Sequence, residues 1–201
     1  MIQRYSRPQM REIWTDENRL RIWLEIELLA TEALVKEKVV PAADFARMKV
    51  GAERCLADTR ALTERAKELE RTLNHDVIGF TTAVAEQIND PASRWLHFGL
   101  TSSDIVDTAF AVQLVQSADL LIEAVRVARK TIAKRAREHR LTPCIGRSHG
   151  IHAEPTTFGL KLALMYDEFG RAEERLRRVR EVIAVDNDAG CEIRTSCFSF
   201  T

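Results

Sequence analysis

Four of the five histidines stand in three short motifs rich in groups that can move a proton or hold an anion. These are Asn74-His75-Asp76, then His97-Phe98-Gly99-Leu100-Thr101-Ser102-Ser103-Asp104, and a run from Gly146 to Gly159 that carries His149 and His152. Imidazole is the side chain whose ordinary pKa, about 6.5, lets it give or take a proton near neutrality, so a framed His149 is a candidate general acid. A capping or surface role is the alternative for a histidine in a turn. The Thr101-Ser102-Ser103 triplet offers hydroxyls and backbone N–H groups at a helix start, which is either an anion site or an ordinary serine cap with Asp104 in its first turn. His149 and His152 lie three apart, but no third ligand joins them at metal spacing, and no metal is expected. His139 lies in a charged helix end, where the helix C-terminus accounts for it.

The elements that must position these groups read as all-α. Only eight glycines and five prolines punctuate 201 residues, and between them apolar side chains recur at three-and-four spacing. Thr15 and Asp16 cap a helix to about Lys38 with Leu20, Trp23, Leu24, Leu28 and Leu34 inward. A short helix is expected around Ala42 to Met48. The segment from Asp58 to Asn89 carries two apolar sets, Leu62, Ala66, Leu69 and Leu73, then Ile78, Val84 and Ile88, with Gly79 marking a break.

From Ser102 or Ser103 no Gly or Pro intervenes before Pro143, which predicts a helix of about 36 residues, on the order of 54 Å. It is apolar on two sides: one stripe is Phe110, Leu114, Leu121, Val125, Ala128 and Ile132, the other Ile105, Ala109, Val112, Val115 and Ile122. Such a helix belongs inside a bundle. A last helix from Thr156 or Thr157 sets Phe158, Leu162, Met165, Phe169, Ala172, Leu176, Val179 and Ile183 in a heptad seam, so two long helices form an antiparallel pair around a turn from Leu141 to Pro155. The leftover apolar faces predict self-association, missing sequence, or both.

Composition excludes some classes. Thirty basic and thirty acidic residues cancel, so no overall field favours nucleic acid or an anionic membrane. The cluster from Arg171 to Arg180 reads as a solvated face with i,i+4 pairs rather than a phosphate patch. No run approaches about 20 consecutive apolar residues and the amino terminus lacks a signal peptide's apolar segment, so a cytoplasmic protein is expected. Cys55, Cys144, Cys191 and Cys197 form no C-x-x-C pair, and reduced thiols are expected.

Taken with Arg4-Tyr5-Ser6, the three histidine motifs resemble those of the adenylosuccinate lyases, within the fumarase and aspartase superfamily, over residues 1 to about 185. The Gly-x-His-Ala-Glu-Pro element is the specific one, since fumarases and argininosuccinate lyases follow the shared histidine with Leu-Gln. The resemblance implies a cofactor-free β-elimination that splits adenylosuccinate into AMP and fumarate, and the analogous succinyl-carboxamide ribotide in purine synthesis. Negative charge building on a carboxylate calls for aimed donors, matched by Thr101, Ser102 and Ser103. The departing nitrogen needs a proton, matched by His149 as general acid with His75 in support. By the same resemblance Arg4, Tyr5, Asn74 and Asp76 bind the nucleotide substrate, while His97, Arg147 and Ser148 are structural or supporting.

The resemblance also implies an amino-terminal helical domain over residues 1–100 and the first two helices of a central bundle over 101–185. Residues 186–201 form a tail that departs from the family. Family members run to more than twice this length as homotetramers, and their general base is a serine in a Ser-Ser-x-Met-Pro-x-Lys-x-Asn-Pro loop that this sequence lacks. A truncated chain, inactive alone, is therefore expected. A non-catalytic helical scaffold and a sister fumarate-forming lyase are the alternatives.

Overall fold

The computed structural model describes residues 2–184, so the expected tail at 186–201, with Cys191 and Cys197, lies outside the described residues. Among them are seven α-helices and one two-stranded ribbon: α1 (Pro8–Ile13), α2 (Asp16–Lys36), α3 (Ala42–Ala57), α4 (Thr59–Leu73), α5 (Asp76–Ile88), α6 (Ser102–Glu138), β1 (Pro143–Ser148), β2 (Ile151–Thr157) and α7 (Phe158–Ile183). Short 3-10 turns cover Gln3–Tyr5 and Pro91–Trp95. The chain divides into two compact units at Leu114 and Val115, within α6.

In the first unit α2 is the central element. Thr15 caps it by accepting from the Asn18 amide at 3.2 Å, and Leu20, Ile22, Trp23, Leu24 and Ile26 are all buried. Burial extends around more of the helix than the single stripe expected, because α2 packs on both α3 and α4. It ends in a Schellman motif: the Val39 amide donates to the Leu34 carbonyl at 2.9 Å and the Lys38 amide to Val35 at 3.0 Å, with Lys38 left-handed at φ 62°. The next helix runs on to Ala57 rather than stopping near Met48, and Met48, Ala52 and Cys55 line its buried face. Desolvation pushes the Cys55 thiol up to about 11, which leaves it an inert apolar residue.

The break expected at Gly79 falls earlier. Asn74 takes the left-handed conformation that ends α4, and His75 caps α5. Gly79 is instead buried inside α5, where an added Cβ would lie 3.0 Å from the Ala66 carbonyl oxygen of α4; the missing side chain lets the two helices approach. Phe80 and Val84 are fully buried, with Phe80 edge-on to Trp23 at 5.4 Å, while Ile78 and Leu73 face outward.

Of the two stripes on α6, one is core: Ile105, Ala109, Val112, Val115 and Ile122 are buried. The other is only partly covered, with Phe110 and Leu121 about half exposed and Leu114, Val125, Ala128 and Ile132 half-buried. By length and composition α6 could cross a membrane, but half of its apolar window is buried in protein. In the second unit α6 and α7 are joined through Glu173, which is buried and accepts from Arg129 at 2.7 Å, Arg177 at 2.8 Å and Arg126 at 3.2 Å. These guanidiniums, Arg177 foremost, lower its carboxyl to about 2. Arg180 pairs with Asp119, and Arg171 and Arg178 pair with Asp167 and Glu174 one turn away. The arginine cluster is therefore a carboxylate-paired helix surface that also fastens α7 to α6. The expected seam is at most half-buried, with Leu162, Phe169, Ala172 and Leu176 partly covered while Phe158, Met165 and Val179 are 40%, 43% and 54% exposed.

Candidate functional site

The turn expected between the long helices is a β-hairpin, which an all-α reading had left out. β1 and β2 pair antiparallel, with Ser148 opposite Ile151 and Pro143 opposite Thr157. Two residues close it, His149 at φ 52° and Gly150 at φ 78°. Positive φ at both central positions is the signature of a type I′ turn, whose twist matches that of the strands it joins. The bulge between Ile145 and Arg147 puts an extra residue on β2, opposite Gly146. His149, Arg147, Ser148, His152 and Glu154 are all exposed. The His149 ring thus stands at the tip of a short ribbon, aimed by backbone geometry.

The ribbon is rooted where α6 ends and α7 begins. The amides of Phe158 and Gly159 donate to the carbonyls of Thr142 and His139, each at 2.9 Å. The His139 ring stands edge-on to Phe158 at 5.2 Å, and its Nδ1 lies 3.2 Å from the Thr142 hydroxyl. His139 is thus a junction residue, in keeping with its expected place at a helix end. Thr157 caps α7, accepting from the Leu160 amide at 3.2 Å.

In the first unit the expected residues fall into three local groups. Arg4 and Tyr5 lie in the initial 3-10 turn, with the Arg4 guanidinium 4.8 Å from the exposed Tyr5 ring. His75 Nδ1 accepts from the Ile78 amide at 3.4 Å, and the Asp76 carboxylate accepts from the Val77 amide at 2.8 Å. Both side chains keep substantial exposure at the start of α5. The Asn74 backbone amide donates to the Glu70 carbonyl at 2.8 Å.

The third group is the loop from His97 to Asp104. It begins from a fixed base: buried Asp44 of α3 accepts from Trp95 Nε1 at 2.8 Å, Arg47 at 2.7 Å and Arg94 at 3.0 Å. The Trp95 hydrogen bond leads the causes that lower the Asp44 carboxyl. His97 then sits in the left-handed region at φ 60°. Its amide donates to Glu27 Oε2 at 2.7 Å and its Nδ1 lies 2.9 Å from Glu27 Oε1. Glu27 is fully buried in α2. Its hydrogen bond is the main cause raising the imidazole above its ordinary value, with Asp104 adding to it.

The helix cap differs from the expected one. Thr101, not Ser102 or Ser103, is the capping residue: its amide and hydroxyl both donate to Asp104 Oδ2, at 2.6 and 3.1 Å. Asp104 is buried and reaches back as the acid of a capping box does. Ser102 and Ser103 become the first two residues of α6, positions whose N–H groups have no carbonyl to reach within the helix. The Thr101 hydroxyl is thus committed to the cap, and the serines are the open donors. Among the described residues no group of three or more His, Cys, Asp or Glu is placed to hold a metal. Sequence reasoning missed Glu27 altogether, because an acidic residue among apolar ones in α2 carries no periodic signal of its own.

The chain is mainly helical, and each of its histidine motifs stands at an end of a helix. Residues 3–196 match the family model described as lyase, and the chain belongs to that family. Over 190 residues it is 45% identical to an adenylosuccinate lyase of Bacillus subtilis, an alignment covering 94% of this chain and 42% of that protein. Among solved structures it superposes on a fumarate lyase from Mesorhizobium sp. BNC1 with a TM-score of 0.82 and 27% identity, over 90% of this chain and 42% of that one. A 3-carboxy-cis,cis-muconate lactonizing enzyme from Pseudomonas putida gives 0.78 and 31%, over 91% and 42%. The chain therefore spans less than half the length of these relatives.

Proposed function

We propose that this chain carries the acid half of an adenylosuccinate lyase, splitting adenylosuccinate into AMP and fumarate and acting likewise on the succinyl-carboxamide ribotide of purine synthesis. The observation that carries the proposal is His149 at the tip of the type I′ ribbon. An exposed imidazole on a two-residue loop can hand a proton to a leaving nitrogen without first breaking a protein contact. Ser102 and Ser103 supply open donors for the carboxylate on which charge builds, at the positive end of α6. His75 and Asp76, with Asn74, Arg4 and Tyr5, contribute to nucleotide binding, while His97, Arg147 and Ser148 hold their loops. The identity to the Bacillus subtilis enzyme supports this choice of substrate.

The base that removes the carbon-bound proton matches no segment of the 201 residues, so the chain alone is expected to bind nucleotide without turnover. We further propose a homo-oligomer, a tetramer as in the family, in which the exposed apolar residues Leu160, Leu164, Val179 and Val182 of α7 are covered by other copies. We also propose a cytoplasmic protein and, on its balanced charge, no nucleic-acid or membrane partner. Residues 1–100 then form the amino-terminal domain and 101–185 the start of the bundle.

Calorimetry with adenylosuccinate and AMP, alongside a fumarate-release assay, tests this reading. Nucleotide binding without turnover is expected, and His149→Gln should leave binding within about threefold, since a proton donor acts on the transition state rather than on the bound substrate. A chain that binds neither compound would be a scaffold. A second reading, a sister lyase for another polycarboxylate, draws on the 31% identity to the lactonizing enzyme. A chain that binds 3-carboxymuconate in preference to adenylosuccinate would establish it.

A further inference from the structure

We propose that Glu27 is a positioning residue that dictates where the protons of His97 reside. The inference rests on the reading above only in supposing that the His97 loop faces a substrate anion. Glu27 is fully buried, and its two oxygens meet the His97 amide at 2.7 Å and His97 Nδ1 at 2.9 Å. A carboxylate removed from water requires partners that offset its lost hydration, and a charged or N–H-bearing imidazole is one. An ionised carboxylate only accepts hydrogen bonds, so Nδ1 must carry a proton whether the ring is neutral or cationic. Nε2 is then the only ring nitrogen left for a ligand. Two acidic groups face the ring, Glu27 from α2 and Asp104 from α6, and both favour the imidazolium.

The amide contact does a second job. His97 occupies left-handed backbone, which a non-glycine residue adopts at a cost. A 2.7 Å bond from its amide to the same carboxylate opposes relaxation. One buried side chain thus fixes the loop's backbone, the ring's tautomer and the ring's charge, five residues before the open donors at Ser102 and Ser103. The consequence for an anionic substrate is a His97 that presents Nε2–H, as a charged donor, to a higher pH than an ordinary histidine does.

Long-range proton–nitrogen NMR of the 201-residue chain reads this directly and needs no ligand. His97 should titrate above about 6.5, with its neutral form protonated at Nδ1. In Glu27→Gln the titration should fall back to 6.5 or below. Adenylosuccinate binding by that variant should weaken, by up to about tenfold, at a pH between the two titrations and recover at a pH below both, where the ring is charged in either protein. A purely structural Glu27 would lose affinity equally at both values, and that result overturns the proposal. So does a His97 whose titration is the same in both proteins. Should Glu27→Gln not fold, the unsubstituted chain decides, because a neutral His97 protonated at Nε2, or titrating at or below 6.5, is incompatible with the assignment. If the NMR result holds but no nucleotide binds, it is the substrate reading that fails and the Glu27–His97 coupling that stands.

Discussion

Replacing Gly159 with alanine should destabilise the chain, although alanine is ordinarily the better helix residue by up to about 1 kcal/mol. Gly159 is the second residue of α7, and an added Cβ would lie 2.5 Å from the Ala136 carbonyl oxygen and 2.7 Å from the Arg140 Cα. Both neighbours are backbone, so neither can swing away. Restoring an ordinary contact requires α7 to retreat from the end of α6 by about an ångström, the difference from the ~3.5 Å of a normal nonbonded separation. That retreat stretches the two 2.9 Å bonds from the Phe158 and Gly159 amides to Thr142 and His139. Overpacking costs about 1–3 kcal/mol and each weakened hydrogen bond about 0.5–1.5. Less the helix preference, the net is a loss of roughly 1–5 kcal/mol. Gly170→Ala, in the same helix, is the internal control. There the nearest atom is the Arg129 guanidinium at 3.0 Å, a side-chain end that can give by a few tenths of an ångström while keeping its bond to Glu173, so the change should cost clearly less than at Gly159. Urea unfolding of both variants, read by circular dichroism, gives the comparison. A Gly159→Ala midpoint equal to or above that of Gly170→Ala would refute the close-approach reasoning.

Two further outcomes follow from named contacts. Lys38 holds the left-handed position of the Schellman motif, so Lys38→Gly should stabilise by about 1 kcal/mol, seen as a raised urea midpoint with an unchanged slope. For Glu173 the folded carboxyl lies below its ordinary value. The stability it contributes is therefore complete above the unfolded value near 4.5 and fades as pH falls toward about 2. Glu173→Gln should lower the urea midpoint at pH 7, and the gap from the unsubstituted chain should narrow steadily between pH 4.5 and pH 2. A gap that persists unchanged at pH 2 would show that packing, not charge, holds the site.

The long helices were legible because their cause is local. From Asp104 to Thr142 the sequence has no Gly or Pro, and apolar residues recur on the right period, so α6 emerges as read. The ribbon was not legible, because a largely exposed hairpin has no buried apolar side to alternate, and Pro155 within β2 reads as a breaker. Gly79 misled because a glycine in a helix resembles an end, whereas the end came from Asn74 adopting left-handed backbone. The histidine motifs were visible as residue types, but which hydroxyl was free was not. That depended on Asp104 folding back onto Thr101 and leaving the serines open. Glu27 was hidden for the same reason: its importance lies in a partner 70 residues away.

The two-residue loop at the ribbon's tip also sets which side chains are admissible there. Left-handed backbone selects a short list in which asparagine, aspartate and histidine are over-represented, and Asn-Gly is the pair that type I′ turns favour most. At position 149 the chain holds histidine, the one member of that list with a ring side chain. Local conformational preference alone would choose asparagine, giving a steadier turn without the ring. The hairpin thus gives up some turn stability to hold an imidazole at its tip. With only two residues in the loop, adding or losing even one would alter the turn type and re-aim that ring, so this stretch should tolerate length changes far less than an ordinary surface connection does.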